Sequence, residues 1–228
     1  QISVTASMKD PLFDAQNNVF GTLNLLEAAR RSSISKFIYI SSAAVYGDPI
    51  EVPITESHPQ DPLSPYGVSK LSGEKYCMMY HKAFGLPSCC IRPFNIYSPR
   101  QDPGNPYSGV ISRFIEKARA GQSPVIFGDG TQTRDFISVH DIVDIITLLL
   151  EKEDANGHVF NAGTGNSITV SELANMVLDI FDVDVPVQYM PERPGDIKYS
   201  CSDISKARKT LGFEPKVSLR EGLMEFAE

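Results

Sequence analysis

The chain lacks any basic excess: 21 lysines and arginines stand against 28 acids in 228 residues, a formal net charge of −7. Binding to a nucleic-acid backbone needs a basic stripe, so no nucleic-acid partner is expected. Long apolar runs are missing too. Ile145–Leu150 falls far short of the ~20 residues that span a bilayer, which excludes a membrane helix. Cysteine is scarce: Cys77, Cys89, Cys90 and Cys201 form no C-x-x-C pair and have no histidine at zinc spacing. A disulfide scaffold is therefore excluded, and the thiols read as reduced and mostly buried in a cytoplasmic protein. His58, His81, His140 and His158 are scattered, so no metal site is expected. There is no internal repeat or low-complexity segment. The chain opens at Gln1 without Met, signal peptide or element-start signal, and reads as entered in mid-sequence.

Strand and helix patterns alternate along it. Asp10-Pro11 opens a helical pattern to about Arg31, with Leu12, Val19, Leu23, Leu26 and Ala29 on one stripe. Residues 36–41 form an apolar, β-rich run suited to a strand buried on both faces. A Pro-rich loop spans 48–64, a second long helix 65–84, and another strand 88–92. This order predicts a parallel α/β sheet. Residues 93–108 read as a long functional loop. Further expectations are helices over 110–120, 140–151 and 170–181, strands over 125–127, 135–139 and 158–161, and a turn at 128–130. The last 40 residues read as one short strand and two short helices.

The chemistry gathers at the start of the second helix. In Tyr66-Gly-Val-Ser-Lys70 the tyrosine and lysine are four apart and share a face. A cation beside a phenol favours phenolate, which suits a base that takes a proton from a sugar or steroid hydroxyl. Ser42 closes a buried strand, where a parallel sheet aims its active residues, and its hydroxyl can bond the same reacting oxygen. Y-x-x-x-K alone is a weak signal, and a tyrosine and lysine on one helix face are more often a solvated edge than a catalytic pair. The ordered set of strand, Ser-Ser, Tyr-Gly, Pro-rich loop, Pro-Tyr-Gly-x-Ser-Lys, helix, strand and Arg-Pro-Phe-Asn is far more specific.

With Asn18-Val-Phe-Gly-Thr22, Ser41-Ser-Ala-Ala-Val-Tyr-Gly47, Pro65–Lys70, Arg92-Pro-Phe-Asn-Ile-Tyr97, Gly128–Asp135 and Arg193-Pro-Gly-Asp196, the chain resembles the extended short-chain dehydrogenase/reductase family. The resemblance is closest to its NAD-dependent nucleotide-sugar epimerase/dehydratase branch. It implies a Rossmann-type parallel sheet flanked by helices, over 1–97, and a smaller α/β substrate-binding domain over 98–228, with about 134–163 returning to the first. It implies Ser42, Tyr66 and Lys70 as the catalytic set: Tyr66 the base, Lys70 holding the nicotinamide ribose and tuning Tyr66, Ser42 bonding the reacting oxygen. Asn18 and Phe94 would line the NAD pocket. Asn95 and Arg134 would hold the diphosphate, Val110 and Phe127 would flank the uracil or thymine base, and Arg193 and Asp196 would close on the nucleotide ribose and phosphate. Taken alone, Phe127 reads as core, Arg134-Asp135 as a surface ion pair, and Arg193–Asp196 as a turn.

In this branch the cofactor oxidises C4 of a nucleotide-bound hexose while the tyrosine takes the O4 proton. A 4,6-dehydratase carries Asp-Glu after the triad serine or threonine; here Ala43 and Ala44 stand there. The resemblance thus points to 4-epimerisation of a UDP-sugar, UDP-glucose/UDP-galactose first, with N-acetylated and uronic sugars open. The alternatives are a decarboxylase or dehydratase of the same family, the alanines counting less firmly against the decarboxylase, an NADPH-dependent reductase, and a non-catalytic scaffold of the same fold. Helices 11–31 and 65–84 match the pair that forms a homodimer interface in the family. The glycine-rich turn that cradles the NAD pyrophosphate is not found in these 228 residues. Roughly 70–80 residues, holding the first four strands, are expected to precede this stretch in the gene product.

Overall fold

A computed structural model describes residues 1–101, 109–192 and 196–227. The helices are α1 (Val4–Lys9), α2 (Pro11–Ala15), α3 (Gly21–Arg31), α4 (Pro65–Phe84), α5 (Val110–Arg119), α6 (Val139–Glu151), α7 (Val170–Ile180), α8 (Ser205–Leu211) and α9 (Leu219–Met224). The strands are β1 (Phe37–Ile40), β2 (Ser88–Pro93), β3 (Asn95–Tyr97), β4 (Val125–Phe127), β5 (Thr133–Arg134), β6 (Phe136–Ser138), β7 (Val159–Ala162), β8 (Ile168–Thr169) and β9 (Gln188–Met190). As the alternating order requires, β1, β2 and β7 form an all-parallel sheet in that order. Every residue of β2, the middle strand, is buried. Two further parallel pairs, β3–β6 and β4–β9, and the antiparallel pair β5–β8 complete the ladders.

Two large apolar clusters anchor the chain. One packs Ile91 and Phe160 of the sheet against Ile142, Ile145 and Leu149 of α6 and Leu211 of α8. The other joins α5, α7 and α9 through Phe114, Leu173, Val177 and Leu223. The two are bridged in sequence by β3 and β6, which leave the β2 and β5 ends side by side.

The first helical pattern departs from expectation. Asp10 opens it as expected, capping α2 by accepting from the Phe13 amide, but a π turn interrupts the pattern over Gln16–Phe20 before α3. The wider turn rotates the phase, so Leu12 is 77% exposed while Asp14, Asn18, Thr22 and Leu26 face inward. The stripe holds only from Leu26 to Ala29 as a fully buried face. The 93–108 segment is not loop throughout, because Asn95–Tyr97 pairs with β6. The strand expected at 135–139 is shorter, since Asp135 turns its carboxylate inward and Val139 already begins α6.

Candidate active site

The site is built where β1 ends. Ser41 still follows the ladder, its amide donating to the Ile91 carbonyl. Ser42 leaves it and caps a short 3-10 turn, Ala43–Val45, by accepting from the Ala44 amide at 3.1 Å. After the Pro-rich loop, Ser64 caps α4 by accepting from the Gly67 amide at 3.1 Å, with Pro65 pre-set for the first helical position. These two caps bring Tyr66 and Lys70 to the β1 end. The loop between them is held by Gly47, whose φ of +69° and approach to the Asp61 carbonyl admit no side chain.

Lys70 donates from Nζ to the Ile40 carbonyl at 2.9 Å, which ties the ammonium to the last residue of β1. The nitrogen lies 5.3 Å from the Tyr39 ring centroid and 5.9 Å from that of Tyr66. The Ser42 hydroxyl stands close enough to the Tyr66 phenol to act on its titration. All three predicted residues therefore meet. Their electrostatics differ from expectation, however. Burial pushes the Tyr66 phenol above its ordinary value; the Ser42 hydroxyl opposes this, and Asp14 adds to it. Burial likewise pushes the Lys70 ammonium down, with Asp14 opposing. The expectation that Lys70 lowers Tyr66 fails here because the ammonium is bound to a carbonyl and faces the ring, and desolvation dominates.

Asn18 sits in the π turn, 8% exposed, its Nδ2 donating to Asp14 Oδ1 at 3.1 Å and Ser69 Oγ at 3.2 Å. Phe94 lies in a buried cluster with Val45, Tyr46 and Ile54, directly behind the 3-10 turn. Asn95 follows it, its amide nitrogen donating to the Asp135 carbonyl at 3.2 Å. Since Ile40 pairs with Ile91, residues 93–95 and Ser42 share the carboxyl edge of the sheet, where parallel sheets place ligands.

Phe127 and Asp196, with Gln132, Glu192 and Lys198, line a pocket of about 140 Å³. Arg134 is half-buried; desolvation lowers it and the Asp196 carboxylate raises it, which places the two within electrostatic reach. Arg134 also lines a second pocket of about 330 Å³ with Phe136, Asn166 and Lys216. Val110 packs against the α5–α7 cluster and does not line the pocket that holds Phe127. Arg193 lies outside the described residues.

Two buried networks were not foreseen. Arg92, 2% exposed, takes Glu74 in both arms of a fork (2.8 and 2.5 Å) and also donates to the Tyr46 hydroxyl at 2.8 Å. Tyr46 in turn donates to Asn161 of β7 at 2.6 Å. Asp135, fully buried, accepts from the Thr164 and Ser202 amides and from both their hydroxyls. The i, i+4, i+8 spacing of Tyr66, Lys70 and Glu74 was the available signal for the first.

The chain matches the family described as GDP-mannose 4,6 dehydratase over residues 1–226. It is 41% identical to the UDP-N-acetylglucosamine 4-epimerase of Methanobrevibacter ruminantium, solved in complex with UDP-N-acetylmuramic acid, at a TM-score of 0.94; the match covers 98% of this chain and 72% of that one. Against the UDP-glucose 4-epimerase of Thermotoga maritima with UDP-glucose, the identity is 39%, the TM-score 0.95 and the coverage 100% and 74%. Against the UDP-glucuronic acid 4-epimerase of Bacillus cereus, solved with UDP-glucuronic acid and NAD, they are 36%, 0.85, and 93% and 67%.

Proposed function

We propose a reaction from the premise that the chain belongs to the nucleotide-sugar epimerase/dehydratase branch of the extended short-chain dehydrogenase/reductase family, as an enzyme that modifies a nucleotide sugar with NAD. The reaction is 4-epimerisation of a UDP-sugar, with UDP-glucose/UDP-galactose as the pair. The observation that carries it is the meeting of Ser42, Tyr66 and Lys70 at the end of β1 with two alanines next in the chain.

The donor set fits the nicotinamide-ribose end of the cofactor. Lys70 commits one of its three N–H donors to Ile40 and none to another described residue, and its nitrogen lies 5.9 Å from the Tyr66 ring centroid. When bound, NAD supplies the redox chemistry at the sugar C4. Tyr66 removes the O4 proton and returns it after the sugar has presented its other face. Ser42, beside the phenol, would donate to the same O4 and fix its approach. Lys70, tied to the end of β1, would hold the nicotinamide ribose with its remaining donors. Ala43 and Ala44 carry only methyl groups in the turn after Ser42, so no acid or base stands there for loss of water across C5 and C6.

Asn95 and Arg134 would receive the diphosphate, Arg134 through its forked donors. Phe127 and Asp196 would receive the nucleoside, for which the pocket they line gives room. Asn18 and Phe94 would border the cofactor. Val110 would act at the base through its helix end rather than through that pocket. A homodimer through residues 11–31 and 65–84 is supported by the exposed Leu12, Phe20 and Leu25 on one stretch and Val68 and Met79 on the other.

Tyr66→Phe tests the reading. Turnover is expected to fall by a factor of about 10² to 10⁴ with NAD still bound; a variant keeping more than about a tenth of the rate removes Tyr66 as the base.

A further inference from the structure

The inward face of the first helical stretch is polar where packing alone would favour apolar side chains. Asp14, Asn18 and Thr22 lie at successive inward positions and are 1%, 8% and 8% exposed, before Leu26 restores the apolar face. Asp14 is a buried carboxylate for which the reaction above has no use. Its Oδ1 accepts from Asn18 Nδ2 at 3.1 Å and from Gln1 Nε2 at 2.6 Å, while its Oδ2 has no partner among the described residues. The same Asn18 Nδ2 reaches Ser69 Oγ at 3.2 Å, and Ser69 Oγ donates to the Tyr66 carbonyl at 3.0 Å. A hydrogen-bonded bridge thus runs from Asp14 across the π turn to the turn of α4 that carries Tyr66 and Lys70. Asn18 sits in the π turn, and its Nδ2 also reaches the Gln1 carbonyl at 3.0 Å.

We propose that Asp14 is a positioning residue for the Tyr66–Lys70 pair: through Asn18 and Ser69 it fixes the first turns of α4, and its buried charge sets the field in which both groups titrate. This rests on the reading of Tyr66 as the base. A buried carboxylate with no ion pair among the described residues is costly, and a charge acting on neighbouring groups is a reason to retain it. Its charge raises both the phenol and the ammonium. The other ionisable groups around the pair and its bridge are Tyr39 of β1, Cys90 of β2, Glu74 of α4 and the Gln1 ammonium, which donates to Asn18 Oδ1 at 3.1 Å. Burial raises Tyr39 and Cys90 and so keeps both neutral, and Glu74 is committed to Arg92.

The sign follows. Tyr66 must lose its proton and Lys70 must keep its own, so Tyr66 sets the acidic limb of the rate profile and Lys70 the alkaline limb. A negative charge raises both values. Asp14→Asn removes the charge, keeps the shape, and is expected to move both limbs to lower pH.

The test is a titration of the NAD-loaded enzyme labelled with ¹³Cζ-tyrosine, the Tyr66 resonance being the one lost in Tyr66→Phe. The Tyr66 midpoint is expected to drop by about half a unit or more in Asp14→Asn. Asp14→Glu and Asp14→Gln, matched in size and differing in charge, make the same comparison if Asp14→Asn is unstable, with the glutamine variant titrating lower. Coincident midpoints, with only urea stability reduced, would show a packing role and overturn the proposal. If Tyr66→Phe retains turnover, the reading of the base fails instead; if it is inactive while the midpoints coincide, only the role of Asp14 fails.

Discussion

Arg92 and Glu74 bury opposite charges at 2% and 1% side-chain exposure, in a two-armed pair closed by Tyr46 and Asn161. Removing one partner strands the other where water cannot replace it. Glu74→Ala is therefore expected to cost about 3–5 kcal/mol, read as a lower urea midpoint, since breaking a buried pair leaves an uncompensated charge. At this scale the sequence was legible where chemistry is local. Ser42, Tyr66 and Lys70 follow from an ordered motif and a helical spacing, and they do converge. What the motif could not show was the balance of forces on them. The motif implies that Lys70 lowers the phenol, but burial raises it, and burial is set by residues distant in sequence. The Arg92–Glu74 pair, 18 residues apart, hid for the same reason.

Helix α4 is set against the rest of the site by glycine. A Cβ at Gly67 would stand 2.7 Å from the Ala44 carbonyl oxygen and 2.8 Å from the Pro62 Cβ, so only a glycine lets the start of α4 lie on the turn that Ser42 caps. Gly67→Ala is expected to displace Tyr66 from Ser42 and cut kcat by a factor of about 10–100. NAD binding should weaken far less, and the comparison of kcat with the cofactor Kd checks it. Elements with strong periodicity or clear caps, such as α4, α6 and α7, were readable within a residue or two. The π turn was not, because an amphipathic stripe is counted at 3.6 residues per turn and one extra residue rotates everything before it. Strand β3 was hidden by the prolines on either side of it, Pro93 and Pro99, since three residues become a strand only when Phe136–Ser138 lies beside them.

Across the whole molecule, the sheet presents Ser42 and residues 93–95 along one carboxyl edge, and β3 and β6 carry the chain from that edge to the cluster of α5, α7 and α9. The net charge of −7 says nothing of the substrate, because the cation proposed for the diphosphate is one half-buried arginine facing one aspartate. The parallel fold was legible in the alternation of elements; the pockets beside Arg134 were not, since they join residues from 127 to 219. Sugar choice belongs to this scale as well, and it is where the proposed reaction is most exposed. The most direct measurement is proton NMR of UDP-glucose incubated with the NAD-loaded enzyme, with absorbance followed at the wavelength of reduced nicotinamide. The account predicts an equilibrium mixture of UDP-glucose and UDP-galactose with no net reduction of NAD. A 4-keto-6-deoxy sugar, or stoichiometric accumulation of reduced cofactor, would contradict it.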